Sequence, residues 1–441
     1  MSEATAQSAL AGFRAALGEP SPGAESTTVP AVPLPARLPV GPLAWAAVQT
    51  ASLALGALAG AALVALDPAR IAAAYRSDRH LLIDGSAPAV WSPLSGFWRT
   101  ADGWVRTHGN YPAHASALVR ALSLHEPTAS ALHARLAERS TASVVAAVAE
   151  QGGLCVAVRA ERPAEDAALR VDPVIRWRRG YGPAKRPLPG PTAAAPLAGI
   201  RVLDLTRVIA GPVCTRTLAL AGADVLRIDP PRLAEFGWQH LDTGHGKRSA
   251  LLDAAAQRDR LDALLADADV VVLGYRPAGL ERLGLSPARL LAAFPHLVVA
   301  QLSAWGAPER RGFDSLVQAA SGIALIEREE NSTPGALPAQ ALDHTAGYLL
   351  AAAIATALRR RADEGGGWIV ETSLRRVAAE LLALPRNEEP SSDAPPADPE
   401  TQTFDVDGVE VRTVVPAVAW AGGPTRFAPP RPWGGDQAVW R

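Results

Sequence analysis

The chain has 441 residues, roughly three domains at about 150 residues each, and its 48% hydrophobic and 20% charged content excludes a disordered chain. With 43 Lys plus Arg against 44 Asp plus Glu, the net charge is -1, so no global field draws the chain to nucleic acid or an anionic membrane. Two cysteines exclude a disulfide-dense scaffold and a thiolate-rich metal cluster, which makes a reduced, cytoplasmic setting the expectation.

The first residues lack the basic flank and apolar run of a signal peptide. Residues 1–42 read as a short helix followed by a strap whose repeated prolines stop any helix. The uncharged stretch 43–66 is long enough to span a bilayer. Its alanines, with Gln49, Thr50 and Ser52, make a buried helix the expectation, and no membrane partner is expected. Residues 95–108 read as two short strands around the turn Ala101-Asp102-Gly103. Helices near 112–123, 127–138 and 140–150 follow, then a strand at 154–160. The stretch 43–160 thus holds a helical segment and a small α+β domain. Residues 161–196 read as a linker.

From Leu197 the pattern changes. A strand at 199–207, a helix from about Gly211 and a strand at 224–229 make a β-α-β unit. Further strands near 249–252, 269–273, 297–302 and 368–374 alternate with helices, the longest over 343–361. Such alternation implies a Rossmann-like parallel sheet covered on both faces, over 197–383. Residues 384–441 are an acidic, proline-rich tether and a C-terminal strap.

Ligands of open α/β sheets bind beyond the carboxyl ends of the strands. The first such end carries Arg207-Val208-Ile209-Ala210-Gly211-Pro212. Gly211 would let backbone approach a ligand, but the Gly-x-Gly-x-x-Gly fingerprint is absent, so a plain strand-to-helix turn is an equal reading. Lys247 and Arg248 follow a glycine turn that lacks the phosphate-loop pattern. Asp343 stands where a Gly/Pro-rich loop meets the long helix. It can cap that helix, and a carboxylate there can also attack an acyl carbon; the residues alone leave both roles open. The nine histidines show no metal-ligand spacing, and no metal is expected.

The stretch 196–229, from PLAGIRVLDLTR through GADVLRID, resembles class III CoA-transferases of the CaiB/BaiF type. Lys247-Arg248-Ser249, Tyr275-Arg276-Pro277, Glu281-Arg282-Leu283-Gly284 and Gly312-Phe313-Asp314 resemble further family motifs. The resemblance implies a CoA-transferase that moves CoA between an acyl-CoA and a free carboxylic acid, with coenzyme A as substrate and a homodimer as the assembly. It implies that Asp343 is the nucleophile, forming an acyl anhydride and then a CoA thioester. It implies that Arg207, Ile209, Ala210 and Gly211 line the CoA site, that Tyr275 and Arg282 contact the nucleotide end, and that Arg311 is a basic contact. Lys247 and Arg248 are further basic candidates. The competing readings are an acyl-CoA racemase or isomerase and a CoA-binding subunit without turnover. Phe313 disfavours the racemase, because the family's histidine stands at that position and phenylalanine moves no proton. The hairpin GFWRTADGW at 96–104 resembles the family's small domain, which here precedes the sheet domain, so the order reads as permuted.

Overall fold

The computed structural model describes residues 2–19, 29–180, 185–329, 332–390 and 397–441. Parts of the expected strap, linker and tether, at 20–28, 181–184 and 391–396, lie outside them. In chain order the strands are β1 Leu82–Ile83, β2 Gly96–Arg99, β3 Trp104–Thr107, β4 Cys155–Ala157, β5 Arg176–Arg179, β6 Arg201–Leu205 and β7 Asp224–Asp229. They continue with β8 Arg248–Leu251, β9 Val270–Leu273, β10 Val298–Ser303, β11 Trp368–Ser373, β12 Thr401–Val406 and β13 Val409–Val414.

A seven-stranded sheet, ordered β5-β11-β10-β9-β6-β7-β8, forms the centre. Six of its strands are parallel, and β5 closes one edge antiparallel to β11. Counted in chain order, the six parallel strands run 3-2-1-4-5-6 across the sheet. The order reverses between β6 and β9, where chain connections leave toward opposite faces and a crevice opens. Helices cover both faces, so β9 (VVVL) is buried throughout and reads as a continuous apolar run rather than an alternating one. The expected α/β fold is therefore present.

β5 corrects the reading of 161–196 as a linker. That stretch contains the helix Pro163–Leu169 and then β5, whose sequence RWRR carries one apolar side chain. Trp177 packs against the core and donates its indole N–H to the Ala16 carbonyl at 2.8 Å. An edge strand this short, with solvated arginines on its outer face, leaves no periodicity to read.

The apolar segment near the N-terminus forms the helix Val40–Ala59, ended by Gly60 in the left-handed conformation. It packs against Ala341–Glu364, which also packs against Ala210–Leu220. Val40–Ala59 and Ala341–Glu364 are both long and apolar enough to cross a membrane, yet 72% and 100% of their apolar windows are buried inside the protein. Gly347 permits the second contact: a Cβ there would stand 2.6 Å from the Ala210 carbonyl oxygen.

The small unit consists of β2-β3-β4 and three helices around its own core, which includes Val105, Leu118, Leu132 and Val148. Thr128 and Ser140 cap two of those helices. A third sheet, β1-β13-β12, pairs the C-terminal hairpin with a strand that precedes the small unit.

Candidate functional site

The crevice lies at the reversal point of the sheet. It has a volume of about 640 Å³ and is bordered by Leu205, Ile228, Gly274 and Ser303, at or just past the carboxyl ends of β6, β7, β9 and β10. Its walls are mainly aliphatic, and Tyr111 and His114 reach it from the small unit. Of the sequence candidates, Arg207, Tyr275 and Arg311 line it. Arg207 Nε and the Tyr275 hydroxyl are buried without a hydrogen-bond partner. Unpaired buried polar atoms are costly, and two at one crevice suit a polar or anionic ligand.

The turn after β6 is held by a residue that the sequence did not single out. Glu235 is 8% exposed. Its Oε2 accepts the Val208 N–H at 3.0 Å and Arg227 Nη2 at 3.2 Å; its Oε1 accepts the Tyr111 hydroxyl at 2.8 Å and Arg207 Nη2 at 3.3 Å. Burial pushes the Glu235 carboxyl up, but the Arg207 and Arg227 guanidiniums, with these hydrogen bonds, hold it below its ordinary value. Val208 has φ +72°, a conformation that a β-branched residue adopts only under constraint. Glu235 supplies that constraint and ties the small unit to the sheet through Tyr111. Its signal in the sequence is slight: one acidic residue in a loop past β7.

Gly211 works differently from the expectation. A Cβ there would lie 2.4 Å from Thr206 Cβ, so the missing side chain serves packing against Thr206 and not a ligand's approach. Ala210 is buried beside Gly347, and neither it nor Gly211 lines the crevice. Ile209 faces a second, smaller cavity.

That second cavity, of about 40 Å³, contains Asp343. Asp343 is in the first turn of Ala341–Glu364 but does not cap it; the N-cap position is Gln340. The capping carboxylate is Asp314, 29 residues earlier, whose Oδ2 accepts the N–H groups of Leu342 at 2.9 Å and Asp343 at 3.0 Å. This leaves the Asp343 side chain free of the capping duty that the sequence allowed it. Burial, with the nearby Asp314 charge, pushes the Asp343 carboxyl well above the usual range. Burial also raises Asp314, to about 6.

Tyr111, Val208 and Phe313 line both cavities and form the wall between them. The wall is aromatic: His108 stacks on Phe313 with ring centroids 3.9 Å apart, and Phe236 lies 4.7 Å from Tyr111. Asp343 thus adjoins the crevice across one layer of side chains and does not open into it directly. His108, also absent from the sequence candidates, lines the Asp343 cavity from the small unit.

Three further candidates are also not brought to the crevice. Lys247 is buried and binds Asp204 Oδ2 at 3.1 Å and the Pro212 carbonyl at 2.9 Å; burial lowers its ammonium to about 8. Arg248 begins β8 and pairs with Asp224, at the amino ends of the parallel strands and therefore on the opposite rim of the sheet. Arg282 is exposed and does not line the crevice, although Leu280 and Leu283 on either side of it do. A glycine turn near basic residues looks alike in sequence whichever rim it occupies. Among the described residues, no cluster of His, Cys, Asp and Glu is placed to hold a metal ion.

Comparison with known proteins places this geometry in context. Residues 197–405 match the model of CoA-transferase family III. The chain is 32% identical over 219 residues to "Probable fatty acyl-CoA transferase Rv3272" of Mycobacterium tuberculosis, covering 44% of this chain and 55% of that protein. It is 31% identical over 208 residues to a formyl-CoA:oxalate CoA-transferase of Afipia carboxidovorans, covering 43% of this chain and 49% of that protein. The chain therefore spans about half the length of these curated relatives. A solved structure of a CAIB/BAIF family protein from Brucella suis aligns with TM-score 0.40 and 26% identity, over 49% of this chain and 65% of that one.

Proposed function

We propose, from the premise that residues 197–405 belong to CoA-transferase family III, that this chain moves CoA between an acyl-CoA and a free carboxylic acid through Asp343. The observation that carries the reading is a buried carboxylate, relieved of capping by Asp314, one layer of side chains from a crevice at the sheet's reversal point.

In this reading the acyl-CoA lies in the crevice, with Arg207, Tyr275 and Arg311 along its polar parts. The wall side chains shift to admit the thioester. An Asp343 oxygen attacks the thioester carbon, the C–S bond breaks, and CoA leaves as thiolate, giving an acyl–aspartyl anhydride. The thiolate then attacks the aspartyl carbon, releasing the donor acid and leaving CoA on Asp343. The acceptor carboxylate repeats the sequence in reverse, and the thiolate finally attacks the acceptor's acyl carbon, which restores Asp343. Burial serves this chemistry twice. A carboxylate held above its usual range is destabilised as an anion and gains by forming a neutral anhydride bond, and a cavity of about 40 Å³ keeps bulk water from that anhydride.

Asp343→Ala tests the proposal with labelled acyl-CoA and mass analysis of the protein. The wild type gains an acyl or CoA adduct and transfers label to the acceptor. The variant loses both, by about 1,000-fold or more in rate, and keeps its affinity for CoA because the crevice is untouched. Undiminished transfer by Asp343→Ala would remove the residue from the mechanism.

A further inference from the structure

We propose that His108 of the small unit is a further catalytic residue, its imidazole N–H donating to the acyl carbonyl oxygen as Asp343 attacks; this rests on the reading of Asp343 as the nucleophile. His108 and Asp343 line the same cavity of about 40 Å³, although 235 positions separate them in the chain. His108 is 5% exposed, and its Nδ1 is buried with no hydrogen-bond partner. Its ring lies nearly parallel to Phe313, with centroids 3.9 Å apart and planes 11° apart, so packing on the wall sets its orientation.

A stacking role alone does not explain the residue type. Phenylalanine would stack on Phe313 equally well and leave no orphaned nitrogen. An unpaired buried polar group beside a candidate nucleophile is the pattern expected where a site sacrifices stability for function. The other polar side chains that this stretch brings to the cavity are already committed: Asn110 Oδ1 accepts the Ser92 N–H and the Ser95 hydroxyl, its Nδ2 donates to the Val90 carbonyl, and the Tyr111 hydroxyl donates to Glu235 Oε1. Within this stretch, His108 remains as the donor available to the Asp343 cavity.

The protonation state suits this task. Burial, followed by His114 and Arg106, lowers His108 to about 3, so the ring is neutral wherever Asp343 is ionised. A neutral imidazole stabilises a developing oxyanion by hydrogen bonding without transferring its proton. When the Asp343 oxygen bonds to the thioester carbon, the carbonyl π pair moves to oxygen, and that oxyanion accepts the His108 N–H. The pair returns as the C–S bond breaks and CoA departs as thiolate. The small unit thereby completes a site whose nucleophile belongs to the sheet domain.

The test compares His108→Phe with His108→Gln in the full chain. His108→Phe keeps the ring and the stacking but removes the donor; kcat falls about 100-fold while KM for acyl-CoA stays within about twofold. His108→Gln restores an N–H and recovers about tenfold of that loss. Either His108→Phe with kcat near wild type, or His108→Gln no better than His108→Phe, overturns the proposal. Should His108→Phe lack a native thermal transition, His108→Leu replaces it under the same criteria. Asp343→Ala is run beside these variants. If it retains transfer, the underlying function fails; if it is inactive while His108→Phe is unimpaired, only the role of His108 fails.

Discussion

Asp314→Asn separates the electrostatic from the capping role of one buried carboxylate. Burial raises the Asp314 carboxyl from 3.8 to about 6, so holding its charge at neutral pH costs about 3 kcal/mol. Because the folded value lies above the unfolded one, this group's contribution to stability is fully present below about 3.8 and is lost as pH rises through about 6. Asparagine carries no charge at any of these values. Its carbonyl oxygen, placed at Oδ2, still accepts the Leu342 and Asp343 N–H groups. Its NH₂ then faces the Gln318 amide N–H, which now donates to Oδ1, and Gln318 resists turning over because its oxygen holds the Leu337 N–H at 2.9 Å. That mismatch costs about 1–3 kcal/mol at every pH. The expected result is a variant less stable than wild type at pH 4, with the gap moving in its favour by about 2–3 kcal/mol by pH 7. Urea unfolding followed by tryptophan fluorescence at several pH values reads this directly. A gap that stays constant within about 0.5 kcal/mol would refute the assignment of a raised, charge-bearing Asp314. The same substitution removes the charge that helps to raise Asp343, so the acid limb of transfer moves to lower pH.

Lys247→Ala leaves Asp204 buried with only its hydroxyl donors, Thr206 and Thr215, and is expected to lower stability by about 3–5 kcal/mol. CoA affinity of the folded fraction, measured by calorimetry, stays at the wild-type value, because Lys247 is not at the crevice. Glu235→Ala releases Arg207, Val208 and Tyr111 together, and CoA affinity is expected to fall about tenfold or more in the same assay. Unchanged affinity would show that the turn after β6 holds its shape without the carboxylate. With Asp343 as the proposed nucleophile, transfer is expected to rise with pH over the range where Asp343 ionises, since its carboxyl is held above the ordinary value by burial and by Asp314. A rate profile flat from pH 5 to pH 8 would contradict an attacking Asp343 with that environment.

The parallel sheet was legible from residue order alone. Apolar runs such as VVVL at β9 and the strand-helix-strand alternation from Leu197 are local patterns, set by which faces of each element must leave water. The turn at Arg207 and the loop–helix boundary at Asp343 were legible for the same reason. Tertiary structure decided what each of these residues does. Asp314 reaches across 29 positions to cap the helix that the sequence allowed Asp343 to cap. Glu235 closes on Val208 from 27 positions away. His108 meets Phe313 through a contact between two units. Lys247 and Arg207 are both basic residues near glycine turns, yet one is sealed against Asp204 and the other borders the crevice. Periodicity records whether a side chain is buried, because burial depends on the element it occupies. Its partner depends on which distant segment the fold brings alongside, and no local pattern in the chain encodes that.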